Sequence, residues 1–538
     1  MKLSLEGLQV KTGWETYRLP TYDIAAVRER TAKNPTWLHF GAGSIFRAYP
    51  AMLVQRLLTA GLMDTGIIVC ESYDEELIDR AYRPFDNLSV ATTLHADGFI
   101  KKEVIASITE SLKLSEDWDR VREIFCDPGL QMVSFTVTEK AYTLREGNRE
   151  FKDCVVGDLA RGPEHCDNVI TAAAAMCLER RKVTDKPLAL VSLDNCSHNG
   201  NRLHRAILEV ARAWKENGFV TDEDIQYLTT QIFCPYSMID KITPAPDKRI
   251  LDVLHEDGLE DLTITQTEKG TFAAAFTNSE KTQYLLIEDR FPNGHPPLEQ
   301  TGVIFTTRNV VDRTARMKSA TCLNPIDTSN AIFGSLFSYP TIAETMRDVD
   351  LQRFNRKMSY GEAVPMVTDP GIVDPWEFLH EALTERLPNP YVPDQPQRIA
   401  TDTSHKLGVR YGETILAYYD SKLPKHRVSR LRYIPFVLAG WLRYLIGVDD
   451  AGKPMELAPD PRLPALKEIL GDIELGMSVP MRRIEPIICD KFIFGVNLAE
   501  VGLDDTVLFY FNEMLKGPGA VRTMLKRVCS DEIFFHYN

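Results

Sequence analysis

Residues 37–47, Trp37-Leu38-His39-Phe40-Gly41-Ala42-Gly43-Ser44-Ile45-Phe46-Arg47, decide the fold. A short run rich in apolar residues leads straight into a Gly-x-Gly turn, and residues 51–58 then carry apolar side chains at helical spacing. The pattern predicts strand, glycine turn, helix. Such a turn lets backbone amides approach a pyrophosphate, and the helix N-terminus favours its negative charge. Gly41 and Gly43, with Ser44 beside them, are therefore candidate cofactor residues, and Arg47 brings a guanidinium suited to phosphate. The third glycine of the usual dinucleotide fingerprint is absent, its place taken by Phe46. A plain tight turn between strand and helix would need the same two glycines.

Working outward, 66–70 forms a second apolar run ending in Glu71-Ser72-Tyr73-Asp74, and further runs occupy 132–137 and 188–192. Strands alternating with helix-like segments imply a mostly parallel sheet. A carboxylate at the end of the second strand can accept hydrogen bonds from the adenosine ribose and would repel a 2'-phosphate, which favours NAD over NADP. Glu71 is the first candidate and Asp74 the next. The cluster Phe291-Pro292-Asn293-Gly294-His295-Pro296-Pro297 is rich in turn formers and is taken as a domain boundary, giving domains at 1–295 and 296–538. Beyond it, segments 303–317, 329–336, 430–445 and 505–515 have apolar residues at spacings of three and four, so the second domain is expected to be mostly helical.

A chain of 538 residues with 44% hydrophobic and 26% charged residues suits two soluble globular domains, and a net charge of -14, spread along the chain, argues against nucleic acid as a partner. The ten cysteines are scattered without Cys-x-x-Cys or zinc spacing, so they read as free thiols and no metal site is expected. No apolar stretch of signal-peptide length opens the sequence, and the most apolar later window, 431–446, is interrupted by Arg432 and Arg443. A cytoplasmic protein that does not enter the membrane is expected.

The chemistry concentrates in 314–334, where Lys318 stands six positions before Asn324 in a mostly apolar, small-residue segment. Desolvation lowers a lysine pKa, so Lys318 is a candidate to exchange a proton with an alcohol while Asn324 steadies the alkoxide. The same residues also suit a snorkelling lysine and a helix-capping asparagine. Asp194-Asn195 follows the predicted strand 188–192, where open parallel sheets place ligand-binding residues, although Asp-Asn and Asn199-Gly200 are also ordinary turn formers. Arg398 and Lys406, eight apart, would lie roughly on one helical face, which by default reads as a solvated basic surface.

The run from Lys318 to Asn324-Pro325 resembles the signature of the polyol-specific long-chain dehydrogenases, the mannitol dehydrogenase family. Other elements follow in family order from about residue 37 to about residue 406. Gly41 to Arg47 is similar to the Gly-x-Gly-x-x-x-Arg element, and Thr136-Val137-Thr138-Glu139-Lys140-Ala141-Tyr142 to Thr-x-Thr-Glu-Lys-Gly-Tyr, with Ala141 for the glycine. Ser192 to Gly200 resembles Ser-x-Asp-Asn-x-x-x-Asn-Gly; Met238 to Pro244 resembles Met-Val-Asp-Arg-Ile-Thr-Pro, with Lys241 for arginine; and Arg398 to Lys406 resembles Arg-x-x-x-Asp-x-Ser-x-Lys.

The resemblance implies an N-terminal Rossmann-type domain, a mostly helical C-terminal domain, and an active site in the cleft between them. It implies NAD as cofactor and metal-independent hydride transfer to a small sugar acid or polyol, by a monomer or homodimer. Lys318 would be the general acid/base, Asn195 and Asn324 an oxyanion hole, and Asp240, Arg398 and Lys406 the substrate-holding residues. Thr138 and Glu139 would join Gly41, Gly43, Ser44, Phe46, Arg47, Glu71 and Asp74 on the cofactor side.

Two departures stand out. Lys318 sits one residue farther from its asparagine than is usual in the family, and Asp327 stands where the family has histidine, so a group that can donate is replaced by one that, ionised, only accepts. The length and the Cys-Leu-Asn-Pro form of the motif resemble the uronate-reducing, mannonate-forming members, which implies interconversion of a keto-sugar acid of the fructuronate or tagaturonate type with its aldonate. A polyol dehydrogenase of the mannitol 2-dehydrogenase kind, an NAD-retaining uronate epimerase and a non-catalytic sugar or nucleotide sensor are the other readings.

Overall fold

The computed structural model describes the whole chain except residues 11, 148, 149, 185 and 531–538. It divides into two compact units: Met1–His95 with Phe99–Asp312, and Ala96–Gly98 with Arg313–Asn538.

Unit 1 is built on six parallel strands, β1 (Trp37–Phe40), β2 (Ile67–Glu71), β3 (Ile108–Lys113), β4 (Met132–Phe135), β5 (Leu188–Ser192) and β6 (Ile232–Phe233), in the order β6-β5-β4-β1-β2-β3. Every residue of β1, β2, β4 and β5 is buried, as expected of a sheet covered on both faces. The pleat sorts side chains by parity. Leu38, Phe40, Ile68, Val133, Phe135 and Leu190 pack under α3 (Trp118–Cys126), α4 (Val169–Val183) and α5 (Asn199–Glu216). Trp37, Ile67, Val69, Met132 and Val191 share the opposite core with Leu53, Val54 and Leu57 of α2 (Pro50–Thr59), which follows the short α1 (Ser44–Ala48). The chain steps from β1 outward to β2 and β3 and then returns to β4 on the other side of β1. The β1/β4 boundary is therefore the switch point, outside whose carboxyl end open α/β sheets bind ligands.

Unit 1 also holds a second sheet of Tyr17–Arg18, Ile100–Ile105, Ser89–Leu94 and Phe276–Glu280, a third of β7 (Ser237–Asp240), β8 (Tyr284–Glu288) and β9 (Ile304–Thr306), and two short two-stranded ribbons. Here the structure departs from the helix expected over 303–317. Residues 304–306 pair in parallel with β8, and the helix α6 starts only at Arg308, running to Met317. The β-branched and aromatic run Val303-Ile304-Phe305-Thr306-Thr307 prefers an extended, half-buried edge once β8 offers one. The turn cluster at 291–297 accordingly precedes the last strand of unit 1, and the division falls within α6.

Unit 2 is helical. Phe333 of α7 (Asn324–Leu336), Phe354 of α8 (Val349–Met358), Phe436 of α9 (Tyr433–Tyr444) and Tyr510 of α10 (Asp504–Met514) form a chain of ring contacts with centroids 5.2 to 5.6 Å apart. Gly440 permits the α7–α9 approach: a Cβ there would lie 2.7 Å from the Phe333 ring. Wide π-helical turns occur at Lys318–Cys322, Ser359–Ala363, Ala382–Arg386 and Gly408–Gly412. Such turns are rare and gather at functional positions. Among the described residues no helix is long and apolar enough to cross a membrane.

Candidate active site

Outside the carboxyl ends of β1, β2 and β4 lies a cavity of about 870 Å³ whose walls include Gly41, Gly43, Glu71, Asp74, Thr138 and Lys269. The glycine turn is shaped to line it. Gly41 has φ +110°, and a Cβ there would fall 2.4 Å from the Thr136 carbonyl oxygen; at Gly43 a Cβ would meet nothing within 4 Å. One glycine is required by the backbone and the other keeps the wall bare, which is the form a closely approaching pyrophosphate needs. Ser44 opens α1 next to it.

The expected acidic end is present and is tied into the turn. Glu71 accepts the Ala42 amide at Oε2 (2.6 Å) and the amides of Ser72, Tyr73 and Asp74 at Oε1 (3.0, 2.9 and 3.3 Å). Asp74 accepts the Thr267 hydroxyl at 2.7 Å. Asp74, with this one donor, retains acceptor capacity, and on Glu71 only Oε2, which takes a single amide, does so; Oε1 is filled by its three amides. Phe46 and Arg47 stand elsewhere. Phe46 is buried against the His39 ring (4.4 Å), and Arg47, 1% exposed, donates to the Ala274 carbonyl at 2.5 Å and lies over the Tyr82 ring. Neither side chain lines the cavity. Glu139, at the surface, pairs with Arg202 at 2.8 Å.

Asp194 shapes the opposite wall. Its carboxylate accepts the amides of Val137 (3.2 Å) and Thr138 (2.9 Å) and the Tyr142 hydroxyl (2.5 Å), and burial pushes its pKa up. These bonds hold Thr138 at φ +71°, costly for a β-branched residue and paid in tertiary contacts. Asn199 donates to the carbonyls of Ser192 (3.2 Å), Asp194 (3.1 Å) and Ser237 (3.0 Å), so the Asn-Gly pair clamps β5 to β7. Asn195 is thereby presented at the surface beyond β5, and Asp240, 2% exposed, ends β7.

In unit 2, Lys318 is 6% exposed and opens a wide turn closed by the Leu323 amide on the Lys318 carbonyl (3.1 Å). An i→i+5 turn holds one residue more than an α-turn, which matches the extra residue between Lys318 and Asn324. Asn324 and Pro325 then start α7, with Asp327 in its first turn. Desolvation raises the Asp327 carboxyl to about 6, against the nearby charges of Arg410, Arg386 and Lys318, which favour ionisation.

The single basic helical face expected for Arg398 and Lys406 is not formed. Asp402 has φ +54° and separates Pro396–Ala400 from Thr403–Leu407, and Ser404 is drawn to Asp460 by two hydrogen bonds (2.8 and 2.6 Å). Arg398 pairs with Asp394, while Lys406 turns back onto the carbonyls of Ile399 (3.2 Å) and Thr401. Sequence reasoning also missed Arg410, which donates to the Thr328 hydroxyl from a wide turn of its own. Its only sequence signal was its place four residues after Lys406.

Comparison with known proteins agrees with this architecture. The model of the mannitol dehydrogenase Rossmann domain matches residues 35–300, and that of the mannitol dehydrogenase C-terminal domain matches 315–484. The chain is 43% identical to a D-mannonate oxidoreductase of Thermotoga maritima over 99% of this chain and 100% of that protein. It is 26% identical to a polyol:NADP oxidoreductase of Gluconobacter oxydans over 86% and 90% of the two chains. In structure it is similar to a substrate-free D-sorbitol dehydrogenase (TM-score 0.79, 23% identity, 97% and 100% of the two chains). It is also similar to the Pseudomonas fluorescens mannitol 2-dehydrogenase solved with NAD and D-mannitol (TM-score 0.70, 23% identity, 99% and 100%). With family-model matches to both units and a full-length relative at this identity, the chain belongs to the mannitol dehydrogenase family of oxidoreductases.

Proposed function

We propose that the chain interconverts a keto-sugar acid of the fructuronate or tagaturonate type and the corresponding aldonate, mannonate or altronate, with NAD as redox partner. The observation that carries this reading is the 43% identity to a D-mannonate oxidoreductase over 99% of the chain.

NAD, when bound, accepts or supplies the hydride. Gly41, Gly43 and Ser44 would take its pyrophosphate, Glu71 and Asp74 the adenosine ribose, and Thr138 the wall opposite them. In the reducing direction the Lys318 ammonium gives a proton to the carbonyl oxygen as the carbon is reduced; in the oxidising direction the neutral amine takes it back. Asn195 and Asn324 donate hydrogen bonds to that oxygen as it becomes anionic. Asp240 accepts from substrate hydroxyls, and Arg398 and Lys406 supply positive charge for the carboxylate.

The test follows NADH absorbance at neutral pH with D-fructuronate, D-tagaturonate and D-fructose, comparing wild type with Lys318→Ala. Rapid oxidation with one uronate, reduced at least a thousandfold in the variant, is expected. Preference for fructose would replace this reading with a polyol dehydrogenase. Tightly held NAD with no net NADH change would point to an epimerase, and ligand-dependent thermal stabilisation without turnover to a sensor.

A further inference from the structure

We infer that Arg410 is what makes an aspartate workable at position 327: it cancels that carboxylate's charge, so that the site selects a sugar acid over a neutral sugar. The inference rests on the proposed function for the identity of the ligand, and on unit 2 alone for its geometry.

An ionised carboxylate three residues after Asn324 is a liability in a site meant for an anion. Two carboxylates brought together in a desolvated place repel, and removing water strengthens the repulsion. The structure supplies an answer from 83 residues farther along the chain. The segment carrying Arg410 is bolted to the Lys318–Asp327 segment by three side chains. Arg410 donates to the Thr328 hydroxyl, the Tyr411 hydroxyl donates to the Pro325 carbonyl at 2.6 Å, and the Thr414 hydroxyl donates to the Ala320 carbonyl at 3.4 Å. Thr328 in turn donates to the Asn324 carbonyl at 3.0 Å, so the guanidinium is referenced to the same turn that carries Asn324 and Asp327.

Charge follows geometry. Burial is the main influence on Asp327 and works against its ionisation; among the charges that favour it Arg410 comes first, ahead of Arg386 and Lys318, with Asp394 opposing, and Asp327 is the largest influence keeping Arg410 charged against its own desolvation. With the two cancelling, Asp327 no longer offsets the positive charge that Lys318 and Lys406 present toward a substrate carboxylate, while Arg398 is shared with Asp394. Arg410 is thus a positioning and specificity residue, acting on the ligand through Asp327.

A purely structural role for Arg410 would weaken all ligands alike, and the double variant separates the two cases. Dissociation constants for D-mannonate and D-mannitol, measured by titration calorimetry with NADH present so that no hydride acceptor is available, need no turnover; KM values for D-fructuronate and D-fructose extend them. Arg410→Met should weaken the acid at least tenfold more than the neutral ligand. Asp327→Asn/Arg410→Met should bring the acid-to-neutral ratio back to within about threefold of wild type, and Arg410→Lys should keep most of it. Equal weakening of both ligands by Arg410→Met, or no recovery in the double variant, would overturn the inference. A wild type that binds mannonate with this pattern but reduces no uronate would sink the proposed reaction and leave the inference standing.

Discussion

The Glu71 carboxylate accepts the Ala42 amide hydrogen at 2.6 Å, joining the end of β2 to the middle of the glycine turn. The residue proposed to hold the ribose is therefore also the residue that fixes the backbone proposed to take the pyrophosphate. With three further amides on its other oxygen, Glu71 joins two parts of the cavity wall, the glycine turn and residues 72–74. Glu71→Ala leaves those donors without their acceptor, at a cost of about 1–3 kcal/mol for each that stays buried. The expected outcome is a KM for NADH raised at least tenfold and a melting temperature lowered by several degrees. Glu71→Gln, which keeps one acceptor oxygen, should fall between. Steady-state kinetics and a thermal melt check it; an unchanged KM for NADH would remove Glu71 from the site.

Gly41 and Gly43 separate fold from binding. Alanine at 41 would force a residue with φ +110° to carry a Cβ 2.4 Å from the Thr136 carbonyl oxygen, whereas alanine at 43 meets no protein atom within 4 Å. Gly41→Ala should destabilise the protein by about 1–3 kcal/mol and weaken NADH binding as a consequence. Gly43→Ala should melt within a degree or two of wild type yet raise the KM for NADH, because its methyl group intrudes on the cavity. Paired melting and NADH titrations distinguish them, and equal loss of stability in both would contradict this division of roles.

What the sequence made legible was local. The strand 37–40, the turn after it and the buried runs at 66–70, 132–137 and 188–192 carry their reason in consecutive residues: continuous apolar strands covered on both sides, punctuated by glycine. What it hid depends on partners far away. Arg47 looks like a phosphate ligand until the Ala274 carbonyl and the Tyr82 ring claim it. Arg398 and Lys406 look like one helical face until Asp460 captures Ser404 and the left-handed Asp402 breaks the helix. Asp327 looks like a lost histidine until Arg410, 83 residues farther along the chain, reaches the hydroxyl of the neighbouring Thr328. Residues 303–307 failed differently: their apolar content suits helix or strand, and only the edge of β8 decides.

Glu362 gives the fold a pH dependence of its own. It is 5% exposed and accepts the amides of Arg432 (2.5 Å), Tyr433 (3.0 Å) and Ile434 (2.8 Å) at the start of α9. Those bonds favour the carboxylate, but burial outweighs them and raises its pKa from 4.5 to about 7. Because the folded-state value lies above the unfolded one, the folded chain keeps its proton longer. The contribution of Glu362 to stability is full below pH 4.5 and is lost as pH rises through 7, about 3 kcal/mol at 1.36 kcal/mol per unit. Wild type should therefore lose melting temperature between pH 5 and pH 8 more steeply than Glu362→Gln, which has no proton to lose and keeps an oxygen for the helix amides. Parallel melting curves across that range would show that Glu362 titrates at its ordinary value and that the helix start is better solvated than its burial implies.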